Sequence, residues 1–163
     1  MNSRKLNIST VFATFFGIGL VPFAPGTFGT LAAFGLYLLM PESWYLGAAR
    51  YLVAVGVLGL AALSSRLCFA AERVLGEDHG SIVIDEVFGY FTATLFLPYS
   101  WLVGLYAFIL FRAFDIAKPY PIWRSQRIPR GWGVVIDDIL AGVYANLLLQ
   151  IMIRIYPKFF GMG

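Results

Sequence analysis

The acidic residues constrain the fold of this chain more than any other feature, because six of them lie at the edges of long apolar runs. The chain has nine carboxylates in all. Four of the six form two adjacent pairs, and each pair leads directly into an apolar run. Ionisable groups at a membrane boundary are costly and usually have a function. The six residues are Asp78, Asp85, Glu86, Asp115, Asp137 and Asp138.

Composition predicts that these acids belong to an integral membrane protein. The chain is 60% hydrophobic and 13% charged, whereas soluble domains contain about 25% charged residues. Its length suits a single membrane-embedded domain over residues 1–163. The single cysteine, Cys68, excludes an intramolecular disulfide.

The apolar runs predict an all-α helical bundle with about five short spans. Residues 8–21 are too short to cross a hydrocarbon core of about 30 Å, so they predict an interfacial or re-entrant helix. An apolar stripe over residues 65–76 predicts an amphipathic helix that continues a span into the interface. The spans are predicted at residues 28–40, 44–64, 82–97, 101–114 and 134–156.

The break at Pro98-Tyr99-Ser100 leaves two alternatives for the third and fourth spans. One straight helix would carry Asp85-Glu86 and Asp115 to opposite faces of the membrane. A hairpin would return them to the same face. If the acids act together, the hairpin must be correct.

Charge placement predicts the orientation of the bundle. The segment from Lys118 to Arg130 contains four cations and no acid, which places it in the cytoplasm together with Arg4 and Lys5. The turns at residues 41–43 and 98–100 then face outward, and the six acids lie at the cytoplasmic ends of the spans. We therefore expect a multi-pass protein with its site facing the cytoplasm.

Carboxylates clustered in this way predict a site for a hard cation, because Mg²⁺ prefers oxygen ligands. For an acid near a helix start, the alternative is complementation of the helix dipole. That alternative is weakest for Asp137 and Asp138, which lie inside a long apolar span. We predict catalytic roles for Asp85, Asp137, Asp138 and Lys118. The predicted metal ligands are Asp78, Asp85, Glu86, Asp115, Asp137 and Asp138.

Two further segments predict a phosphate site. Arg112, Asp115 and Lys118 are spaced by three and share a helix face. They are either a salt-bridged helix end or a carboxylate flanked by phosphate-binding cations. Gly26 and Thr27 lie in a glycine-rich turn at a helix start, where backbone N–H groups can bind phosphate. We predict that Gly26, Thr27, Arg112 and Lys118 bind substrate.

Familiar phosphatase nucleophiles are absent. Cys68 and Arg73 have C-x4-R spacing, whereas the cysteine-phosphatase loop requires C-x5-R. His79 is the only histidine, which excludes a mechanism with two histidines. Neither residue is assigned a chemical role. If the site hydrolyses a phosphate ester, the preferred mechanism is direct attack of water on phosphorus, with an aspartyl-phosphate intermediate as the alternative.

Four segments together resemble phosphatidylglycerophosphatase A, particularly through the stretches IVIDEVFG, RAFDIAKPYPI and VIDDILAG. The resemblance implies a magnesium-dependent enzyme of the bacterial inner membrane. It implies hydrolysis of phosphatidylglycerophosphate to phosphatidylglycerol and phosphate in phospholipid biosynthesis. The matching segments are Pro25–Leu31, Asp78–Gly89, Arg112–Pro121 and Gly131–Gly142.

Two other functions remain open from the sequence. A small transporter or channel could use the acids for cations, but its polar groups should then extend through the membrane depth. A phosphatase for another lipid phosphate would share the same metal chemistry. We expect membrane lipids as partners and no nucleic acid.

Overall fold

The computed structural model describes residues 8–76 and 79–162, and within these ranges the fold is entirely helical, as predicted. Two 3-10 helices, Ile18–Leu20 and Glu42–Tyr45, join longer elements. No strand occurs in the described ranges. The α-helices are α1 (Ile8–Ala13), α2 (Pro25–Leu39), α3 (Ala49–Leu75), α4 (Ile84–Thr94), α5 (Trp101–Ala117), α6 (Ile122–Ser125) and α7 (Trp132–Ile155).

Two of the described helices, α3 and α7, are long and apolar enough to cross a membrane. They have 27 and 24 residues, or about 40 and 36 Å at 1.5 Å per residue. Leu52 and Val55 on α3 are 75% and 72% exposed, as suits a surface that faces lipid. The predicted count of about five spans is not confirmed, since α2 and α5 have only 15 and 17 residues.

The amino-terminal segment is more broken than predicted. Residues 8–21 form α1 and a separate 3-10 helix instead of one helix. The break occurs at Phe15, Phe16 and Gly17, which have φ values of 46°, 57° and 92°. Positive φ ends a right-handed helix, so the chain changes direction here.

The predicted span at residues 82–97 is a short helix in the middle of the bundle. Helix α4 has 11 residues, nine of them buried, and is about 16 Å long. It contacts α2, α3, α5 and α7. Because protein surrounds it, α4 does not need the length of a lipid-exposed span. In contrast, the amphipathic segment 65–76 continues its span as predicted, within α3.

Helices α4 and α5 form the predicted hairpin. The Ser100 hydroxyl caps α5 by accepting a hydrogen bond from the Val103 N–H at 3.2 Å. At the other side of the break, the Asn146 side-chain amide of α7 donates to the carbonyls of Ala93 and Leu95 at 3.0 and 2.8 Å. These bonds satisfy carbonyls that the end of α4 would otherwise leave unpaired.

A glycine contact sets the distance between α4 and α7. A Cβ atom on Gly142 would lie 2.3 Å from the Gly89 carbonyl oxygen. Small residues at such a crossing let two helix backbones approach closely. Asp85 and Asp138 each precede one of these glycines by four residues, or about one turn. The crossing therefore brings the two acidic pairs together.

The opposite end of the bundle is closed by tyrosines, and we call Tyr37, Tyr45, Tyr99 and Ser100 the tyrosine end. The Tyr37 hydroxyl donates to the Ser100 carbonyl and accepts from the Ser100 N–H, both at 3.1 Å. The rings of Tyr45 and Tyr99 have centroids 5.3 Å apart. The turns at residues 41–43 and 98–100 therefore lie at the same end of the molecule.

Candidate active site

Five of the six predicted acids converge where α4 begins, α5 ends and α7 completes its second turn. Three carboxylate oxygens lie within 4.8 Å of one another, one each from Asp85, Glu86 and Asp138. We call these residues the Asp85 triad. The same holds for Asp115, Asp137 and Asp138, the Asp115 triad, so Asp138 belongs to both. The sixth acid, Asp78, lies outside the described residues.

The Asp85 triad contains buried oxygens without a hydrogen-bond partner. These are Oδ1 of Asp85, Oε2 of Glu86 and Oδ2 of Asp138. Asp85 and Asp138 are only 4% and 3% exposed. The nearest cation is Arg112, whose Nη1 is 4.0 Å from Oε1 of Glu86. Buried unpaired carboxylates are expensive to desolvate, and the three residues of this triad could hold a metal ion.

The Asp115 triad differs because cations of the protein already contact it. Arg112 Nη1 lies 2.6 Å from Oδ2 of Asp115. Lys118 Nζ lies 2.5 Å from Oδ2 of Asp137 and 3.7 Å from Oδ1 of Asp115. The predicted grouping of Arg112, Asp115 and Lys118 on one face is confirmed. The partner of Lys118 on α7 was not visible in that spacing.

Lys118 ends α5 in a conformation that lysine rarely adopts. Its φ and ψ of 40° and 57° lie in the left-handed region. Burial lowers the pKa of its ammonium group, but the hydrogen bond to Asp137 and the charges of Asp137 and Asp115 outweigh burial and raise the pKa. Lys118 therefore remains cationic at neutral pH. Backbone strain held at a site of this kind is common where function requires it.

The glycine-rich turn contacts the site through Gly26. A Cβ atom on Gly26 would lie 2.2 Å from Oε1 of Glu86 and 3.2 Å from Nη1 of Arg112. Only glycine therefore fits there with the present side-chain positions. The Thr27 N–H already donates to the Ala24 carbonyl at 2.9 Å. If Thr27 contacts the substrate as predicted, its hydroxyl group must make the contact.

The carboxylates line a cavity of about 210 Å³. Lys118 and Val134 also line it, as does His79, to which the sequence assigned no role. The His79 Nδ1 accepts a hydrogen bond from the Ser81 N–H at 3.2 Å, so Nε2 is the ring nitrogen that can carry the proton of a neutral imidazole. In the sequence, the one indication that His79 could lie at the site is its position six residues before Asp85.

Cys68 is far less accessible than this cavity. It is fully buried in α3, where it packs in a cluster that includes Ile82, Ile84 and Val135. A phosphate has no surface route to its sulfur. This placement agrees with the absence of a chemical role for Cys68.

The donor set fits a divalent cation next to an oxyanion. Among the described residues, five buried side-chain nitrogens and oxygens have no hydrogen-bond partner, and four of them belong to this site. Three are carboxylate oxygens and the fourth is Nε of Arg112. Unsatisfied acceptors suit a hard cation, and a guanidinium suits a phosphate. Fold and site together define a helical protein that has two helices apolar enough to span a membrane and a buried carboxylate centre that could hold a metal ion.

Comparison with known proteins identifies the family of this chain. The sequence pattern of the family described as phosphatidylglycerophosphatase A matches residues 11–153. The chain belongs to this family. No solved structure matches the chain.

Three curated relatives cover nearly the full length. A phosphatidylglycerophosphatase A of Haemophilus influenzae is 40% identical, over 88% of this chain and 88% of its own. One from Escherichia coli is 36% identical, over 90% of this chain and 84% of its own. A Bacteroides thetaiotaomicron protein named as a putative phosphatidylinositol-3-phosphatase is 36% identical, over 91% and 95%.

Proposed function

We propose that this membrane enzyme removes the terminal phosphate from phosphatidylglycerophosphate, giving phosphatidylglycerol and inorganic phosphate, and that it requires Mg²⁺. Family membership supports the substrate and the reaction. The observation that carries the metal requirement is the set of buried, unsatisfied oxygens in the Asp85 triad. By the charge rule, this cavity faces the cytoplasm of a bacterial inner membrane.

The Asp85 triad would hold the ion. Asp85, Glu86 and Asp138 offer three oxygens within 4.8 Å of one another. None of the three carboxylates makes an ion pair shorter than 4.0 Å within the described residues. When bound, Mg²⁺ neutralises phosphate charge and polarises water.

The Asp115 triad would position the cations that bind the phosphate. Asp115 and Asp137 hold Arg112 and Lys118 by contacts of 2.6 and 2.5 Å. Held in this way, the two cations would donate hydrogen bonds to phosphate oxygens, and the bonds would strengthen as charge develops on them. Asp115 and Asp137 would thus act mainly through Arg112 and Lys118.

Hydrolysis would then proceed by direct attack of water. The water oxygen bonds to phosphorus, the bond from phosphorus to the glycerol oxygen breaks, and the alcohol leaves with a proton. His79 and Lys118 both line the cavity and carry nitrogens that can donate that proton. The burial of Cys68 supports a route without a thiolate nucleophile.

A second lipid phosphate is a specific alternative, because one relative is named for phosphatidylinositol 3-phosphate. The geometry favours a lipid phosphatase over a transporter. The tyrosine end is closed by the hydrogen bonds between the Tyr37 hydroxyl and the Ser100 backbone and by the contact of the Tyr45 and Tyr99 rings. A cation path instead requires polar groups through the membrane depth.

Phosphate release by the purified protein tests the proposal. The substrates are phosphatidylglycerophosphate, phosphatidylinositol 3-phosphate and phosphatidic acid in neutral detergent micelles, with Mg²⁺ or with a chelator. We expect release from phosphatidylglycerophosphate with Mg²⁺ and none with the chelator. Equal activity in the chelator would contradict the metal requirement. Faster release from phosphatidylinositol 3-phosphate would favour the second candidate.

A further inference from the structure

A second and larger cavity lies next to the carboxylates, and we infer that it binds the phosphodiester of the lipid substrate. Its volume is about 550 Å³. Val134 lines both this cavity and the carboxylate cavity. We call it the arginine cavity, after Arg73, Arg127 and Arg130 in its wall.

The charge of the arginine cavity suits a phosphate. Three arginines line it against one carboxylate, Glu72. Arg73 comes from the end of α3, whereas Arg127 and Arg130 come from the segment between α6 and α7. Guanidinium groups present planar donors that match phosphate oxygens. The Arg127 guanidinium carbon also lies 4.9 Å from the centre of the Trp123 ring, a contact that orients it.

The spacing between the two cavities suits a headgroup with two phosphates. Val134 precedes Asp137 and Asp138 by three and four residues on α7, so it lies about 4.5 and 6 Å before them along the helix axis. A glycerol or inositol unit separates a phosphodiester from a phosphomonoester by a few bonds. One headgroup can therefore place its monoester at the carboxylates and its diester at the arginines.

The rim of the arginine cavity suits the membrane interface. Phe69 and Ile128 line the cavity, Trp123 contacts Arg127 in its wall, and Trp132 directly follows the lining residue Gly131. Each of the four is 41% to 44% exposed. Tryptophan beside arginine is typical of the boundary between headgroups and hydrocarbon. The acyl chains of a bound lipid can then leave the cavity toward the bilayer while its phosphates stay in the protein.

This inference rests on the proposed function and adds a basis for specificity. A phosphodiester occurs in phosphatidylglycerophosphate and in phosphatidylinositol 3-phosphate. Phosphatidic acid has a phosphomonoester but no phosphodiester. The arginine cavity would therefore select lipids with both phosphates, whichever polyol joins them.

The kinetic test replaces two arginines and compares two substrates. The variants are Arg127→Gln with Arg130→Gln, and Arg124→Gln as the control. Arg124 is an exposed arginine of the neighbouring helix α6 and does not line the cavity. For the double variant we expect KM for phosphatidylglycerophosphate to rise about tenfold or more, with kcat within about twofold. KM for phosphatidic acid should not change, and the control should match wild type with both substrates.

Two kinetic outcomes would overturn the inference. An unchanged KM for phosphatidylglycerophosphate means that the cavity does not hold the substrate. An equal rise with phosphatidic acid, or an equal effect of Arg124→Gln, means that the arginines only attract the protein to anionic surfaces.

A binding test separates this inference from the proposed function. Short-chain phosphatidylglycerol has the phosphodiester and no monoester, and its binding can be measured by calorimetry. We expect wild type and Asp138→Asn to bind it equally and the double arginine variant to bind it at least about tenfold more weakly. If wild type releases no phosphate from any lipid, the proposed function fails, yet calorimetry still decides the cavity. Binding that the double variant retains in full would overturn the inference.

Discussion

The two ends of the bundle treat their polar groups in opposite ways. At the tyrosine end, the hydroxyls of Tyr37 and Tyr99 each bond to a backbone carbonyl, at 3.1 and 3.0 Å. At the acidic end, four buried polar atoms have no hydrogen-bond partner within the part of the chain that the structure describes. Folding normally satisfies such atoms because leaving them unpaired costs about 1–3 kcal/mol each. The difference teaches that the tyrosine end satisfies its polar groups within the fold, whereas the acidic end leaves acceptors that could bind a metal ion.

The same contrast occurs on a smaller scale between the two triads. The Asp115 triad is compensated by Arg112 and Lys118 at 2.6 and 2.5 Å. The Asp85 triad has only a distant contact with Arg112 at 4.0 Å. Within the described residues, the first triad therefore holds two cations closely, whereas the second has no ion pair shorter than 4.0 Å. We assign the Asp85 triad to the metal and the Asp115 triad to the phosphate.

The largest effect should come from Asp138→Asn, because Asp138 belongs to both triads. We expect kcat to fall by more than about 100-fold, because loss of a proposed direct ligand should exceed the 10- to 100-fold loss that is usual when an outer-shell partner of a metal site is removed. The melting temperature without metal should stay equal or rise, since one buried charge is removed from a repulsive cluster at nearly constant volume. Phosphate release and thermal unfolding in detergent measure both. Full activity, or a collapse of the fold, would break the comparison.

The next effect should come from Lys118→Ala. We expect kcat/KM to fall by about 10- to 100-fold, because one donor to the developing phosphate charge is lost. Metal affinity should not fall, since Lys118 contacts the Asp115 triad and no other triad member in the described residues. Lys158→Ala, at an exposed lysine near the carboxyl end, is the control. A loss of metal affinity as large as the loss of kcat/KM would erase the division between the triads.

A smaller effect is expected from His79→Gln. His79 lines the cavity but has Lys118 beside it as another proton donor. We expect kcat to fall by less than about tenfold, below the usual 10²–10⁴ of a sole general acid. The pH dependence of kcat should keep its shape. A loss of more than 100-fold together with a changed pH profile would make His79 the sole donor.

No effect on activity is expected from Tyr37→Phe at the tyrosine end. The change removes a hydroxyl that both donates to and accepts from the Ser100 backbone, which should cost about 1–3 kcal/mol of stability. Unfolding in detergent should therefore shift to lower temperature while kcat and KM stay constant at 25 °C. A change in kcat without loss of stability would mean that the two ends are coupled.

Local patterns of the sequence predicted the all-helical fold, whereas the hairpin was one of two alternatives and followed only if the acids act together. Pro98 and Ser100 mark the hairpin break, and Arg112, Asp115 and Lys118 show their shared face by spacing alone. The burial of α4 could not be predicted, because an apolar run looks alike whether lipid or protein surrounds it.

The contacts across the chain were likewise beyond the sequence. Lys118 bonds to Asp137 nineteen residues away. Arg73 and Arg127 line one cavity because α3 lies beside the segment between α6 and α7. The sequence analysis assigned no role to Asn146, whose side-chain amide on α7 caps the end of α4. Such pairings depend on packing that no residue spacing encodes.

Titration with Mn²⁺, a spectroscopic substitute for Mg²⁺, tests most directly whether the triads differ. Binding is followed by electron paramagnetic resonance on wild type, Asp85→Asn and Asp115→Asn. The two variants remove one carboxylate charge each from buried positions, at 4% and 8% exposure. We predict that Asp85→Asn weakens Mn²⁺ binding at least tenfold, whereas Asp115→Asn keeps it within about threefold while losing activity. Equal weakening in both variants, or stronger weakening in Asp115→Asn, would contradict the assignment of the metal to the Asp85 triad.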